Sequence, residues 1–126
     1  MILVDTNIFL EILLNQEKRK DCQIFLDRHS NELAISTFSL YSIGIILFRS
    51  GMAKTFDDFL SGILPVIQVV SVEPAALNQI TQAHKTLKLD FDDAYQFAVA
   101  KINHFKLATL DKDFKKTKAH IEIDFI

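Results

Sequence analysis

Tryptophan is missing from the chain, and cysteine, proline and glycine are scarce, at one, two and three copies. The lone Cys22 has no partner for an internal disulfide, and its neighbours Asp21 and Gln23 do not make an activated thiolate, so it reads as a reduced, part-buried residue. Gly44, Gly51 and Gly62 form neither a dinucleotide fingerprint nor a phosphate-binding loop, which removes nucleotide cradling by backbone amides. His29, His84, His104 and His120 are scattered, and none stands at zinc-ligand spacing from a Cys or another His. No apolar run reaches the ~18 residues that span a bilayer, and the apolar start lacks a basic leader, so the expectation is a cytoplasmic protein without a membrane segment. Charge of one sign is also lacking: the formal net charge is -2, so any contact with a polyanion has to be local.

What is present is apolar material in short, punctuated segments. With 126 residues and 49% hydrophobic content, one compact domain over residues 1–126 can bury a core. Residues 2–5 read as a short buried strand, and Thr6-Asn7 can cap a helix to about Leu14. Cys22, Phe25 and Leu26 recur at helical spacing to about His29; Leu33-Ala34-Ile35 is a second strand, and Ser36 or Thr37 caps a largely buried helix over 38–49 that stops near Ser50-Gly51. Phe56, Phe59 and Leu60 supply a short helix, and Val66 to Val72 reads as a third strand. Pro74 suits the first turn of the next helix, which runs past Leu77 and Ile80 to an exposed end at Lys85 to Lys88. Another helix follows to about Asn103, then strand Leu107-Ala108-Thr109, a helical turn from Asp111, and a partly exposed edge strand over Ile121 to Phe125. Strands alternating with helices predict an α/β fold with a mainly parallel sheet of four to five strands, covered on both faces.

Three acids stand at informative places in that pattern. Asp5 closes the first strand, Asp111 follows the fourth, and Asp93 opens the helix before the fourth. Each taken alone is as readily a helix cap or a first-turn acid that complements the helix dipole. Adjacent parallel strands, however, bring all three to the carboxyl edge of one sheet, where open α/β folds place ligands. Carboxylates side by side repel, and a hard divalent cation is the usual compensation. Mg²⁺ or Mn²⁺ takes oxygen ligands, keeps waters, and supports phosphodiester hydrolysis.

The chain resembles the PIN domain, and within it the VapC-type ribonuclease toxins of prokaryotic toxin–antitoxin pairs. The resemblance rests on Val4-Asp5-Thr6-Asn7, on Asp93-Ala94 with Ala98 and Ala100, and on Thr109-Leu110-Asp111-Lys112-Asp113-Phe114, in that order along nearly the whole length. It implies a three-layer α/β/α sandwich and a metal-dependent endoribonuclease, in which Asp5, Asp93 and Asp111 occupy catalytic metal-ligand positions. Thr6, Asn7 and Thr109 then look like supporting groups, with Asp113 adding charge at the outer edge; Asp90 and Asp92 read as solvated or capping residues. RNA, a cognate antitoxin protein and a homodimer are the partners it implies.

One departure stands out. The family's usual glutamate in the helix after strand two falls at Ser42, and no nearby acid in that helix replaces it. Ser42 can hold a water but brings no charge, so weaker metal binding is expected, and a PIN-like module that binds RNA or a protein without cutting stays open beside the nuclease. Glu11 is a conceivable substitute, though a surface role suits it better. Lys101, Lys106, Lys112, Lys115, Lys116 and Lys118 gather in sequence around Asp111, with Lys18, Arg19 and Lys20 as a second basic group. They are either a solvated face or phosphate contacts without base readout, and Lys112, Lys115 and Lys116 are the substrate-binding candidates. Two other classes fail on detail: a phosphorelay receiver needs an acid after strand three, where Val70-Ser71-Val72 stands, and an Asp-x-Asp phosphatase needs an acid at Asn7. The eleven phenylalanines are mostly core, with a minority left for a dimer seam or partner groove.

Overall fold

The computed structural model describes residues 1–126. Five strands, β1 (Ile2–Val4), β2 (Leu33–Ser36), β3 (Gln68–Val70), β4 (Lys106–Thr109) and β5 (Ile123–Phe125), form one sheet in the order β3-β2-β1-β4-β5. Every neighbouring pair is parallel. The helices are α1 (Thr6–Leu13), α2 (Arg19–Arg28), α3 (Thr37–Arg49), α4 (Ala53–Ile63), α5 (Asn78–Leu87) and α6 (Phe91–Asn103).

Period-two alternation sorts the strand side chains onto two cores. Leu3, Ala34 and Leu107 pack with Ile80, Ala83, Phe97 and Phe114 on the α5/α6 face. Ile2, Val4, Leu33, Ile35 and Ala108 pack with Ile8, Phe9, Cys22, Ile43 and Leu47 on the face of α1 to α4. The central strands β1, β2 and β4 are therefore apolar along their middles, as a sheet covered on both sides requires, with polar residues only at strand ends (Ser36, Lys106, Thr109). The result is the expected three-layer α/β/α arrangement, with the sheet all-parallel rather than mainly so. No helix is long and apolar enough to cross a membrane.

Local chemistry sets the boundaries. Asp5 is the N-cap of α1, its carboxylate accepting from the Thr6 N–H, and Ser36 caps α3 by accepting from the Ser39 N–H. Gly51 adopts φ +70°, the left-handed turn that ends the α3 connection. At Gly44 a Cβ would meet the Phe56 ring at 3.0 Å, so glycine there lets α4 approach α3. Three expectations shift. The third strand is Gln68–Val70 rather than Val66 to Val72, because it is an edge strand pairing only with the four residues of β2, and Val66 is exposed. The helix expected from Pro74 divides into a 3-10 turn, Pro74–Ala76, and α5. Cys22 is fully buried, not part-buried, because it faces the core from α2.

Parallel strands end together. The carboxyl ends of β1, β2 and β4 lie side by side, and the residues that leave them, Asp5, Thr37 and Leu110-Asp111, start the next segments at that edge.

Candidate metal centre

A cleft of about 310 Å³ opens at this edge. Asp5, Asp93 and Asp111 all line it, with Thr6, Asn7, Ser42, Asp92 and Gln96. The topology thus brings together the three acids singled out from sequence.

They are not equivalent. Asp5 is buried and accepts four hydrogen bonds: the Thr6 N–H at 2.8 Å and Gln96 Nε2 at 3.2 Å donate to Oδ1, while Thr109 Oγ1 at 2.7 Å and Asn7 Nδ2 at 3.0 Å donate to Oδ2. Burial pushes its pKa up and these donors oppose that shift. Asp93, in the first turn of α6, and Asp111, the cap of the 3-10 turn Lys112–Thr117, are half-buried and nearer solvent. Carboxylate oxygens of Asp93, Asp111 and Asp113 lie within 4.8 Å of one another; Asp5 lines the same cleft but is not in that group, and Asp113 is exposed and does not line the cleft. Desolvation first, then the charges of Asp111, Asp92, Asp5 and Asp90, raise the Asp93 pKa to about 7. Crowded acids of this kind gain most from a cation, and an all-oxygen donor set suits Mg²⁺ or Mn²⁺; no histidine lines the cleft. The residues present fit such an ion.

Behind the acids lies a polar network that sequence reasoning missed. Gln96 is 2% exposed; it donates from Nε2 to Asp5 and to Ser39 Oγ at 2.9 Å, and its Oε1 accepts from Ser36 Oγ at 2.8 Å. Ser39 Oγ also accepts from Thr6 Oγ1 at 2.9 Å. Asn7 Oδ1 accepts from the Leu110 N–H at 3.3 Å and Thr109 Oγ1 from the Asp111 N–H at 3.0 Å, so the supporting residues Thr6, Asn7 and Thr109 tie the three segments together. No buried side-chain polar atom is left without a partner. The signal for Gln96 was available: it is the one amide in the run Ala94 to Ala100, beside Tyr95 and otherwise apolar residues, and sits one helical turn from Asp93.

Other residues fall away from the cleft. Ser42 lines it half-buried, but Glu11 does not and instead accepts from the Lys18 N–H at 2.8 Å. Lys112, Lys115 and Lys116 are exposed beside Asp111 and none lines the cleft; Lys112 lies over the Phe125 ring and Lys116 donates to the Lys88 carbonyl at 3.0 Å. Lys106 pairs with Glu122, and Lys101 lies over Phe97.

An α/β/α sandwich with an acidic cleft at the carboxyl edge of its parallel sheet defines a class of protein, and the comparisons name it. The PIN domain family model matches residues 2–119, and the chain belongs to that family. Solved structures agree in fold. VapBC2 of Rickettsia felis, bound to a DNA fragment from their promoter, superposes with a TM-score of 0.80 at 15% identity, covering 99% of this chain and 98% of that one. VapC20 of Mycobacterium tuberculosis, a sarcin-ricin loop cleaving toxin, gives 0.78 at 15% identity with 96% of each chain covered. FitAcB of Neisseria gonorrhoeae gives 0.75 at 24% identity, covering 100% and 97%. Among curated proteins no significant sequence match is found.

Proposed function

We propose that this chain is a metal-dependent endoribonuclease that hydrolyses RNA phosphodiester bonds, and the toxin of a toxin–antitoxin pair. The observation that carries the reading is the convergence of Asp5, Asp93 and Asp111 on one cleft, from three distant parts of the sequence. Membership of the PIN family and the likeness to VapC and FitAcB structures support it.

Asp93 and Asp111, with Asp5 in the same cleft, would hold Mg²⁺ or Mn²⁺, and the bound ion would lower the pKa of a water and stabilise charge at the phosphate. The protein's own part is positioning. Thr109, Asn7, Gln96 and the Thr6 amide keep Asp5 fixed and favour its ionised form, while Asp111 and Asp113 enter from one short turn whose geometry the Asp111 cap sets. Lys112, Lys115 and Lys116, exposed on that turn, give contacts to the flanking phosphates that carry no base specificity and weaken with salt. A protein antitoxin and a second copy of the chain are the partners in this reading; the exposed stripe Tyr41, Ile45 and Phe48 on α3 supports a protein interface there.

RNA cleavage with Mg²⁺ or Mn²⁺, run beside Asp5→Asn, tests the enzyme. Metal-dependent cutting by the native chain and its loss in the variant are expected. One observation favours a second reading, a PIN module that binds RNA or protein without cutting: Ser42 brings no charge to the cleft wall it occupies. Absence of cutting, together with absence of heat on titrating Mn²⁺, would select it.

A further inference from the structure

Phe91 opens α6 two residues before Asp93, yet its ring is 62% exposed. It stands against two other rings, with centroids 6.0 Å from Phe38 and 6.4 Å from Tyr95, and Phe38 and Tyr95 are 5.3 Å apart. Tyr95 is held in turn, its hydroxyl accepting from the Val72 N–H at 3.1 Å. Phe38 lines the acidic cleft, while Phe91 borders a second hollow of about 310 Å³ with Ile80, Thr81 and His84. An exposed aromatic surface, fixed from beneath, therefore continues outward from the wall of the acidic site.

We propose that Phe91 is a stacking platform for an unpaired nucleobase next to the phosphate held at the acidic cleft. This rests on the nuclease reading above. Single-stranded nucleic acid is commonly bound by aromatic rings that take a base on their π face while a positively charged groove tracks the backbone, a charge that at this cleft a bound divalent cation would supply. The setting favours a base over a protein surface. Phe91 packs on Phe38, which lines the cleft, and the exposed acids Asp90 and Asp92 beside it, the latter also lining the cleft, require the neighbouring phosphate to be held by a cation there. The contiguous α3 stripe, by contrast, has the shape of a protein contact. Stacking also tolerates any base, so the platform sets where the strand lies rather than which sequence is read.

Phe91→Leu keeps an apolar side chain and removes the π face; Phe91→Trp enlarges it. A short fluorescein-labelled single-stranded RNA is titrated with Ca²⁺ in place of Mg²⁺ or Mn²⁺, and its cleavage is then measured with Mn²⁺. We expect Phe91→Leu to lose about tenfold in affinity and in kcat/KM, and Phe91→Trp to equal or exceed the native chain. With an abasic nucleotide beside the cleaved bond, the Leu and native proteins should converge. Mn²⁺ affinity by calorimetry should be the same in all three, which marks an intact acidic site. If the native chain binds and cuts RNA while Phe91→Leu matches it, the platform alone is wrong. A fall in particle mass of the Leu variant by sedimentation would assign the ring to a subunit contact and overturn it too. If the native chain takes up Mn²⁺ but neither binds nor cuts RNA, the nuclease reading fails and this inference with it.

Discussion

Gln96 reaches Asp5 from the opposite layer of the fold: its Nε2 on α6 donates to Oδ1 at the end of β1, 3.2 Å away, across 91 positions of sequence. The same amide group donates to Ser39 on α3 and accepts from Ser36, so its orientation is set by three partners. Gln96→Leu fits the volume and leaves Asp5, Ser36 and Ser39 each short of a partner in a buried place. Unsatisfied buried groups cost about 1–3 kcal/mol each, with partial relief from rearrangement. A loss of about 2 kcal/mol in urea unfolding is expected, and an unchanged midpoint would show that the network contributes nothing net.

The pH response follows from Asp93. Its pKa in the folded chain is about 7 against an ordinary 3.8, so the folded state binds the proton more tightly than the unfolded one. The stabilisation from the protonated group is complete below the unfolded value, and it is lost as pH rises through about 7. Asp5, also raised, acts in the same direction. In chelator, the melting temperature should therefore fall on going from acid to neutral pH as far as these groups control it. Mn²⁺ favours the ionised forms, so the slope should flatten or reverse when it is added. Parallel slopes with and without Mn²⁺ would mean that the ion does not engage these acids.

Phe114 shows what holds the acidic turn in place. It is fully buried in the α5/α6 core although its neighbours Asp113 and Lys115 are exposed. Truncating a buried Phe to Ala costs about 3–5 kcal/mol, part of it from the cavity left behind. Phe114→Ala should lose that much stability and also bind Mn²⁺ more weakly, because Asp111 and Asp113 flank the anchor. Chemical unfolding and calorimetry on the same preparation check both. Lost stability with unchanged Mn²⁺ affinity would separate the anchor from the site.

The features readable from sequence are those with a local signature. Residues 2–4, 33–35 and 107–108 are short apolar runs, and polar residues follow each, so strand ends and their acids could be placed. The parallel topology then follows from the alternation of strands and helices. The run Ala94 to Ala100 marks Gln96 as an amide on a buried helix, but its partners are non-local, and nothing within that helix tells that Asp5, Ser36 and Ser39 will face it. Asp113 is exposed, as its place at the outer edge suggests, but a one-dimensional reading cannot see that the turn after Asp111 curls enough to bring its carboxylate near Asp93 and Asp111. The lysines cluster in sequence, and in space Lys112, Lys115 and Lys116 stay exposed on the turn after Asp111 without lining the cleft, while Lys106 pairs with Glu122.

Ser42 offers the most direct test of how the site is charged. It lines the cleft from α3, one helical turn beyond Ser39, whose hydroxyl meets Gln96. A carboxylate there adds an anion to a cleft that already raises the Asp93 pKa, so without a cation Ser42→Glu should lower the melting temperature. With Mn²⁺ the same charge becomes attractive, and affinity should rise about tenfold, or ~1.4 kcal/mol. Ser42→Gln is the control, since it has the same length without the charge and should not tighten binding. If Gln and Glu behave alike, the effect is one of size. If Glu leaves Mn²⁺ affinity unchanged, residue 42 lies too far from the cation to matter, and the weakness expected from the missing acid has another origin or does not exist.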